Sequence, residues 1–324
     1  MPTGDTSQIQ AALAKFEKLP SGKAAYVIES PDVGMTPPVS YGWNNNESLF
    51  CASSFKVFVL AAYLYYAERG KLPNQPSEEG YPSPLDAALA EPLTVSDHTP
   101  GGKVFGYEAG VIGTTSATAI LSAMIAYSDN TATDIAMKRV GVDNVRKFMY
   151  ETAGLHSPDV RIPDSTKAFY EYLSSPGHHL INDEETMVCT SNAFLKFYRQ
   201  TIHDKLYFKN EETRRQFIWF LSMSEAIPLA MPTDTVCYMK GGDANNPDEG
   251  EHAAAIAGHV TFPGITTDYG NNILPVNFAM LYNWTGQDNF ASGTQAFREA
   301  VKEVFVALKN YAVQGGKNFA AQGA

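Results

Sequence analysis

Hydrophobic positions first recur at helical spacing, then alternate as in strands, then fuse into one unbroken run, and this order predicts the architecture. Gln8 to Leu19 has apolar residues on one helical face and ends at Pro20-Ser21-Gly22. KAAYVIES and PVSYGWN then read as two strands of a hairpin around the turn region SPDVGMTPP. From Val57 to Ala67 every residue is apolar or aromatic, too short a run to cross a bilayer and suited to a helix buried on all sides. Ser53 and Ser54 stand where its N-cap belongs, and Gly70 is a natural stop after Glu68 and Arg69.

Beyond that helix, Pro73 to Pro84 is rich in Pro, Ser, Glu and Gly and reads as an exposed loop, and Leu85 to Ile112 alternates short helical and turn-like pieces. SATAILSAMIAYSDN, TATDIAMKRVG and DNVRKFMYETAGL carry helical periodicity. HSPDVRIPDSTKAFYEYLSSPGHH does not, which predicts a long surface loop. SNAFLKFYRQTIHDKL and NEETRRQFIWFLSMSEAI return to helix, so the chain between the hairpin and Leu229 reads as almost wholly helical. TVCYMKGG, EHAAAIAGHVTF and ILPVNFAMLYNW read as strands joined through NNPDEG and PGITTDYGNN, and AFREAVKEVFVALKNYAV closes the chain as an amphipathic helix. Strands at both ends of a helical middle predict an α+β fold, an antiparallel sheet flanked by terminal helices with an all-helical insertion. Residues 1–50 and 230–324 form the expected sheet part, and residues 51–229 the helical part.

Composition narrows the function classes. With 324 residues and 44% hydrophobic content the chain can form one large domain or two packed ones. A formal net charge of -11 leaves no basic field for nucleic acid or an anionic membrane, so a small-molecule substrate is the expected partner. Cys51, Cys189 and Cys237 show no C-x-x-C spacing, which indicates neither a disulfide framework nor a zinc site. A buried packing role is expected for Cys51, two residues before Ser53. The N-terminal stretch has no basic start followed by a continuous apolar segment, so the expectation is a cytoplasmic chain or an exported one already trimmed. Oligomeric state is not legible.

Three short motifs carry the candidate chemistry. Ser53 and Lys56, at i and i+3, fall on one face of the first turn of the apolar helix, and a lysine buried there is pushed towards its neutral form. Ser128-Asp129-Asn130 lies between two helical segments, and Lys240-Gly241-Gly242 at a strand end. S-x-x-K, S-D-N and K-G-G in this order resemble the signature of the penicillin-recognising serine hydrolases, with K-G-G where K-T-G is expected. AYSDNTATDIAMKRVG resembles the second-motif helix of the class A β-lactamase-like superfamily, which includes D-alanyl-D-alanine peptidases, and the resemblance covers most of the chain.

That resemblance implies a β-lactamase-like fold with its active site in the cleft between the sheet and helical parts. It implies Ser53 as nucleophile, Lys56 as the base that takes its proton, and Ser128 with Lys240 as the relay to the leaving group. Asn130 would orient Lys56 and the substrate amide, and the backbone N–H groups of Ser53 and Asp243, after Gly241 and Gly242, would form the oxyanion hole. No cofactor or metal is implied.

Two departures shape the expected activity. The family's deacylating glutamate has no E-x-x-L-N counterpart here; Glu171, then Asp164, are the nearest carboxylates, and slow breakdown of a β-lactam acyl-enzyme is expected. Gly241 replaces a threonine, and no Lys or Arg occurs from Gly241 to Phe297, leaving His252 as a candidate anion ligand and a neutral ester or amide as the favoured substrate. The alternatives are a true β-lactamase with a non-standard base, a penicillin-binding DD-peptidase-like enzyme, and a non-catalytic binding or sensor module.

Overall fold

The structure is a computed structural model that describes residues 5–31, 38–95, 98–104, 113–181, 186–267, 270–286 and 289–320. Most of the expected hairpin turn, residues 32–37, and part of the 85–112 stretch, residues 96–97 and 105–112, lie outside the described residues.

The chain opens with α1 (Ser7–Glu17), β1 (Gly22–Glu29) and β2 (Ser40–Trp43). A mainly helical middle follows: β3 (Leu49–Phe50), a 3-10 turn over Ala52–Phe55, α2 (Lys56–Ala67), α3 (Pro84–Ala90), β4 (Pro92–Val95) and β5 (Gly113–Ser116). It continues through α4 (Ala117–Ala126), α5 (Asn130–Val140), α6 (Val142–Lys147), β6 (Val160–Arg161), α7 (Thr166–Leu173), β7 (Val188–Cys189), α8 (Ser191–Tyr198), α9 (Glu211–Ser222) and α10 (Ile227–Ala230). Strands β8 (Val236–Asn246), β9 (Glu251–Thr267) and β10 (Gly270–Thr285) and helix α11 (Phe290–Ala320) complete it. Strands β1, β2, β8, β9 and β10 form one antiparallel sheet in the order β2-β1-β10-β9-β8, so the N-terminal hairpin completes a sheet begun by the C-terminal strands.

Strand alternation assigns the two faces of that sheet. Ala254, Ile256 and Met239 join a core with Phe16 of α1 and Val301, Phe305 and Leu308 of α11. Ala253, Ala255 and Ala257 face the other core, shared with the helical middle, where their small side chains let helices come close. Helix α2 lies at the centre of that second core, with Val57 to Leu64 wholly buried. Each buried Val, Leu or Phe contributes roughly 1.5–3 kcal/mol, so α2 is fixed by packing rather than by caps. It ends as the sequence requires. Gly70 adopts φ +64, and the bonds Gly70 N to Ala67 O and Lys71 N to Tyr66 O form a Schellman closure.

The structure corrects several expectations. Neither Ser53 nor Ser54 caps α2; both lie in the 3-10 turn before it, and α2 starts at Lys56 with no side-chain cap. The 156–179 stretch is not a loop throughout, since Ser165 caps α7 through Ala168 N and β6 pairs with β7. Its periodicity was hidden because only Thr166 and Phe169 of α7 are buried. The middle also holds the small sheets β3-β7-β6, of two-residue strands, and β4-β5, of four-residue strands. Strands β9 and β10 run beyond the expected PGITTDYGNN turn boundaries, to Thr267 and from Gly270.

A buried polar cluster joins β9 and β10 to the turn after α8. His259 Nδ1 pairs with Asn277 Oδ1 at 3.0 Å, its Nε2 with Thr261 Oγ1 at 3.1 Å, and the His203 ring lies 5.0 Å away. Burial lowers the His259 pKa to about 4 and also lowers that of His203. Because the folded pKa is depressed, the unfolded chain binds more protons between about pH 6.5 and 4, and stability falls as pH falls through that window. Urea unfolding at pH 7, 5 and 4 is expected to show a progressive loss, of which His259 accounts for up to about 3 kcal/mol. His259→Gln should flatten that part of the decline.

Candidate active site

Three segments are brought together by backbone constraints that the sequence does not advertise. Asn283 of β10 holds the segment before the nucleophile with both ends of its amide: Phe50 N donates to Oδ1 at 2.9 Å and Nδ2 donates to Phe50 O at 3.0 Å. Ala52 then takes φ +45, a left-handed conformation costly for a residue with a Cβ, and Ser53 follows half-buried at the start of the 3-10 turn. Ser54 turns inwards, donating from Oγ to Lys240 O at 3.3 Å, and ties α2 to the edge strand β8.

Gly242 meets Ser53 directly. A Cβ placed on Gly242 would lie 2.6 Å from Ser53 Cβ and 2.7 Å from Ser53 N, so glycine is required for the strand to pass the nucleophile. This closeness sets Ser53 N beside the backbone that runs on to Asp243.

The second motif is built at the joint of α4 and α5. Asp129 caps α5 by accepting from Ala132 N at 2.7 Å and also accepts from Lys103 N and Val104 N at 2.6 Å, fixing a neighbouring loop. Ser128 is held at φ +58. Both its carbonyl and hydroxyl therefore face Lys56, whose Nζ donates to Ser128 O at 2.7 Å and Asn130 Oδ1 at 2.7 Å, with Ser128 Oγ at 3.3 Å. Lys240 Nζ reaches the same hydroxyl at 2.9 Å and Gly241 O at 2.6 Å.

Lys56, Ser128, Asn130 and Lys240 thus form one hydrogen-bonded chain, and Ser53, Ser128 and Asn130 line a cavity of about 380 Å³ with Gly241, Gly242 and Asp243. Burial is the largest cause lowering the Lys56 pKa well below the ordinary lysine range, with the Lys240 charge second. Burial likewise brings Lys240 to about 7. The two short partners of Lys56 are carbonyl oxygens that only accept. A neutral amine satisfies both with its two protons and keeps a lone pair for a hydroxyl. This arrangement can hold a proton acceptor beside a serine.

Other expected residues fall elsewhere. Glu171 is exposed on α7 and does not line the cavity; Tyr170 does, its hydroxyl accepting from Asn130 Nδ2 at 3.3 Å. Asp164 pairs with Arg146 at 2.7 Å, away from the cavity. His252 is 2% exposed, packed on Trp284 and Phe290 and bonded to Asn245 and Gly286 O, so it is a core residue and no anion ligand of the cavity. Cys51 is buried, and burial raises its thiol pKa to about 12, which removes it as a nucleophile.

The sequence reading missed Tyr170, Lys103, Glu225 and Arg298, which all line the cavity. Arg298 follows the cation-free stretch by one residue. The i, i+3, i+4, i+7 spacing of Thr294, Phe297, Arg298 and Val301 marks one face of α11, and this signal could have found it. The cavity wall therefore carries a cation that the strands do not supply. Arg298 Nη2 lies 3.1 Å from Asp243 Oδ2, and Lys103 2.6 Å from Glu225. The Arg298 and Asp243 side chains are 39% and 40% exposed, which makes their pair weak and open to competition.

Among solved structures, the chain superposes on a leucine-to-glutamate mutant of PBP-A, in its acyl-enzyme complex with penicillin G, with TM-score 0.64 and 15% identity over 96% of this chain and 100% of that one. The TLA-3 extended-spectrum beta-lactamase gives TM-score 0.69 and 13% identity over 94% and 100% of the two chains. A beta lactamase from Xanthomonas campestris pv. campestris gives TM-score 0.68 and 18% identity over 96% and 99%. At these identities the likeness is one of fold. No curated protein matches by sequence. The sequence model of the beta-lactamase enzyme family matches residues 6–261. The chain therefore belongs to the beta-lactamase enzyme family and is a serine hydrolase of that fold.

Proposed function

We propose that the protein cleaves an ester or amide carbonyl through an acyl-enzyme on Ser53, and that β-lactams acylate it but leave slowly. The observation that carries this reading is the shared hydrogen-bond chain Lys56–Ser128–Lys240 beside Ser53. Neutral Lys56 takes the Ser53 proton as Oγ attacks the carbonyl. The N–H groups of Ser53 and Asp243 receive the developing oxyanion. Ser128 then passes a proton to the leaving nitrogen or oxygen, with Lys240 holding its hydroxyl.

Slow deacylation is supported by what faces the acyl group. Tyr170 occupies the α7 wall and bonds Asn130, and burial raises its pKa, so it stays a neutral phenol and a poor base. The two cavity carboxylates, Glu225 and Asp243, lie beside Lys103 at 2.6 Å and Arg298 at 3.1 Å, not on the α7 wall.

Intact-mass spectrometry with penicillin G is expected to give a persistent adduct that Ser53→Ala lacks. Rapid turnover would instead support a true β-lactamase with an unrecognised base, and no adduct from penicillin or p-nitrophenyl acetate in folded protein would support a binding module. Tyr170→Glu places a shorter, acidic side chain beside Asn130 with room for a water. It is expected to shorten the adduct's lifetime by ~100-fold, the scale of general-base catalysis.

Arg298 and Lys240 support a carboxylate-bearing substrate as a second class. Arg298→Ala is expected to slow penicillin acylation by roughly 10-fold or more, the scale of one charge-assisted hydrogen bond, and to leave p-nitrophenyl acetate nearly unchanged. Lys240 loses its proton near pH 7, so its attraction for an anion is present below that pH and fades above it. The ratio of penicillin to p-nitrophenyl acetate acylation rates, in which the shared dependence on Lys56 cancels, is expected to fall between pH 6 and 8.5.

A further inference from the structure

One ion pair of the cavity is anchored on either side of the hydroxyl that both lysines share. Glu225, in the connection between α9 and α10, donates its backbone N–H to Ala126 O at 2.9 Å, and Lys103 donates its backbone N–H to Asp129 Oδ2 at 2.6 Å. Those two anchors flank Tyr127 and Ser128 in the chain. Lys103 Nζ and Glu225 Oε1 then meet at 2.6 Å, and both residues line the cavity with Ser128. The pair thus spans the joint that carries the Ser128 hydroxyl, which Lys240 Nζ reaches from β8 at 2.9 Å.

As a fastening this pair is weak. Its side chains are 51% and 42% exposed, where an ion pair contributes little to stability. As a source of charge it is well placed, because Lys240 is a buried amine and feels nearby charges through little water. After burial, which lowers the proton affinity of Lys240, the largest influence is Glu225, which raises it; Lys103 follows and lowers it, and Asp243 raises it. The other groups around Lys240 are steady near neutral pH. Lys56 is neutral in the reading above, burial keeps Tyr198 of α8 a neutral phenol, Asp129 is held by backbone N–H groups, and Arg298 faces Asp243.

We infer that Lys103 and Glu225 are positioning residues of opposite effect: Glu225 sustains the charge on Lys240 that a carboxylate-bearing substrate needs, and Lys103 offsets it. The inference rests on the acyl-Ser53 reading above, and adds how the preference of that site for an anion is set.

The test is the ratio of penicillin G to p-nitrophenyl acetate acylation rates, read by intact mass on Ser53 from roughly pH 6 to 8.5, whose midpoint reports the loss of the Lys240 proton. Glu225→Gln removes a negative charge, so the protonated amine is less favoured and the midpoint is expected to move about one pH unit lower. Lys103→Met removes a positive charge and is expected to move it higher by a similar amount. A merely structural role would give both variants one sign, since each breaks the same pair. Each direction stands by itself, so one folded variant is enough. A midpoint that stays in place in folded Glu225→Gln and Lys103→Met, or moves the same way in both, would overturn the assignment. If the natural protein shows no midpoint, the role given to Lys240 fails; if neither compound acylates Ser53, the hydrolase reading fails, and this inference falls with either.

Discussion

Two lysine amines meet one serine hydroxyl inside a closed cleft, and the rest of the site follows from that constraint. Lys56 and Lys240 are almost wholly buried, at 0% and 1% exposure, and both reach Ser128 Oγ. Two full charges at that separation from solvent and from each other would each cost several kcal/mol, so at least one proton is surrendered. The proposed base is the amine that gives it up, and it needs no histidine. Everything nearby serves to keep that amine dry and aimed. Its two carbonyl partners use up its protons, Asp129 locks the joint that supplies them, and Gly242 lets the edge strand close over Ser53.

The fold supplies rigidity where this chemistry needs it. Helix α2 is fixed by packing on every side, so Lys56 enters the site from an element that cannot shift without opening the core. The edge strand is tied to α2 through Ser54, and the segment before Ser53 to β10 through Asn283. Strain sits at the chemistry itself, in the left-handed backbones of Ala52 and Ser128, and the buried contacts around them hold those conformations in place. The proposed attack at a carbonyl would meet a cleft already organised around Ser128, while the α7 wall presents the Tyr170 phenol beside Asn130.

Much of this was legible in the sequence, for identifiable reasons. An uninterrupted apolar run has one good interpretation in a chain this long, alternating strands at both ends imply a shared sheet, and Gly70 stops a helix for a steric reason. The motif residues came out together in space because each is set by its local element: Lys56 at a helix start, Ser128 between helices, Lys240 on an edge strand. What stayed hidden depends on contacts distant in sequence or on side chains with little periodic signal. Tyr170 sits on a helix that buries too few residues to show its spacing, and the sequence leaves His252 open between an anion ligand and a packed residue because its aromatic neighbours Trp284 and Phe290 lie far along the chain. Arg298 has no strand signal to mark it, since α11 supplies it from across the sheet edge.

The central claim, that a neutral Lys56 activates Ser53, is tested most directly by the pH dependence of fluorophosphonate labelling of Ser53 in the natural protein and in Lys56→Arg. Labelling is expected to rise with a midpoint well below the ordinary lysine value of about 10.5, and to be lost in the arginine variant, whose guanidinium keeps its proton. Equal labelling of the two proteins, or a midpoint near 10.5, would contradict it.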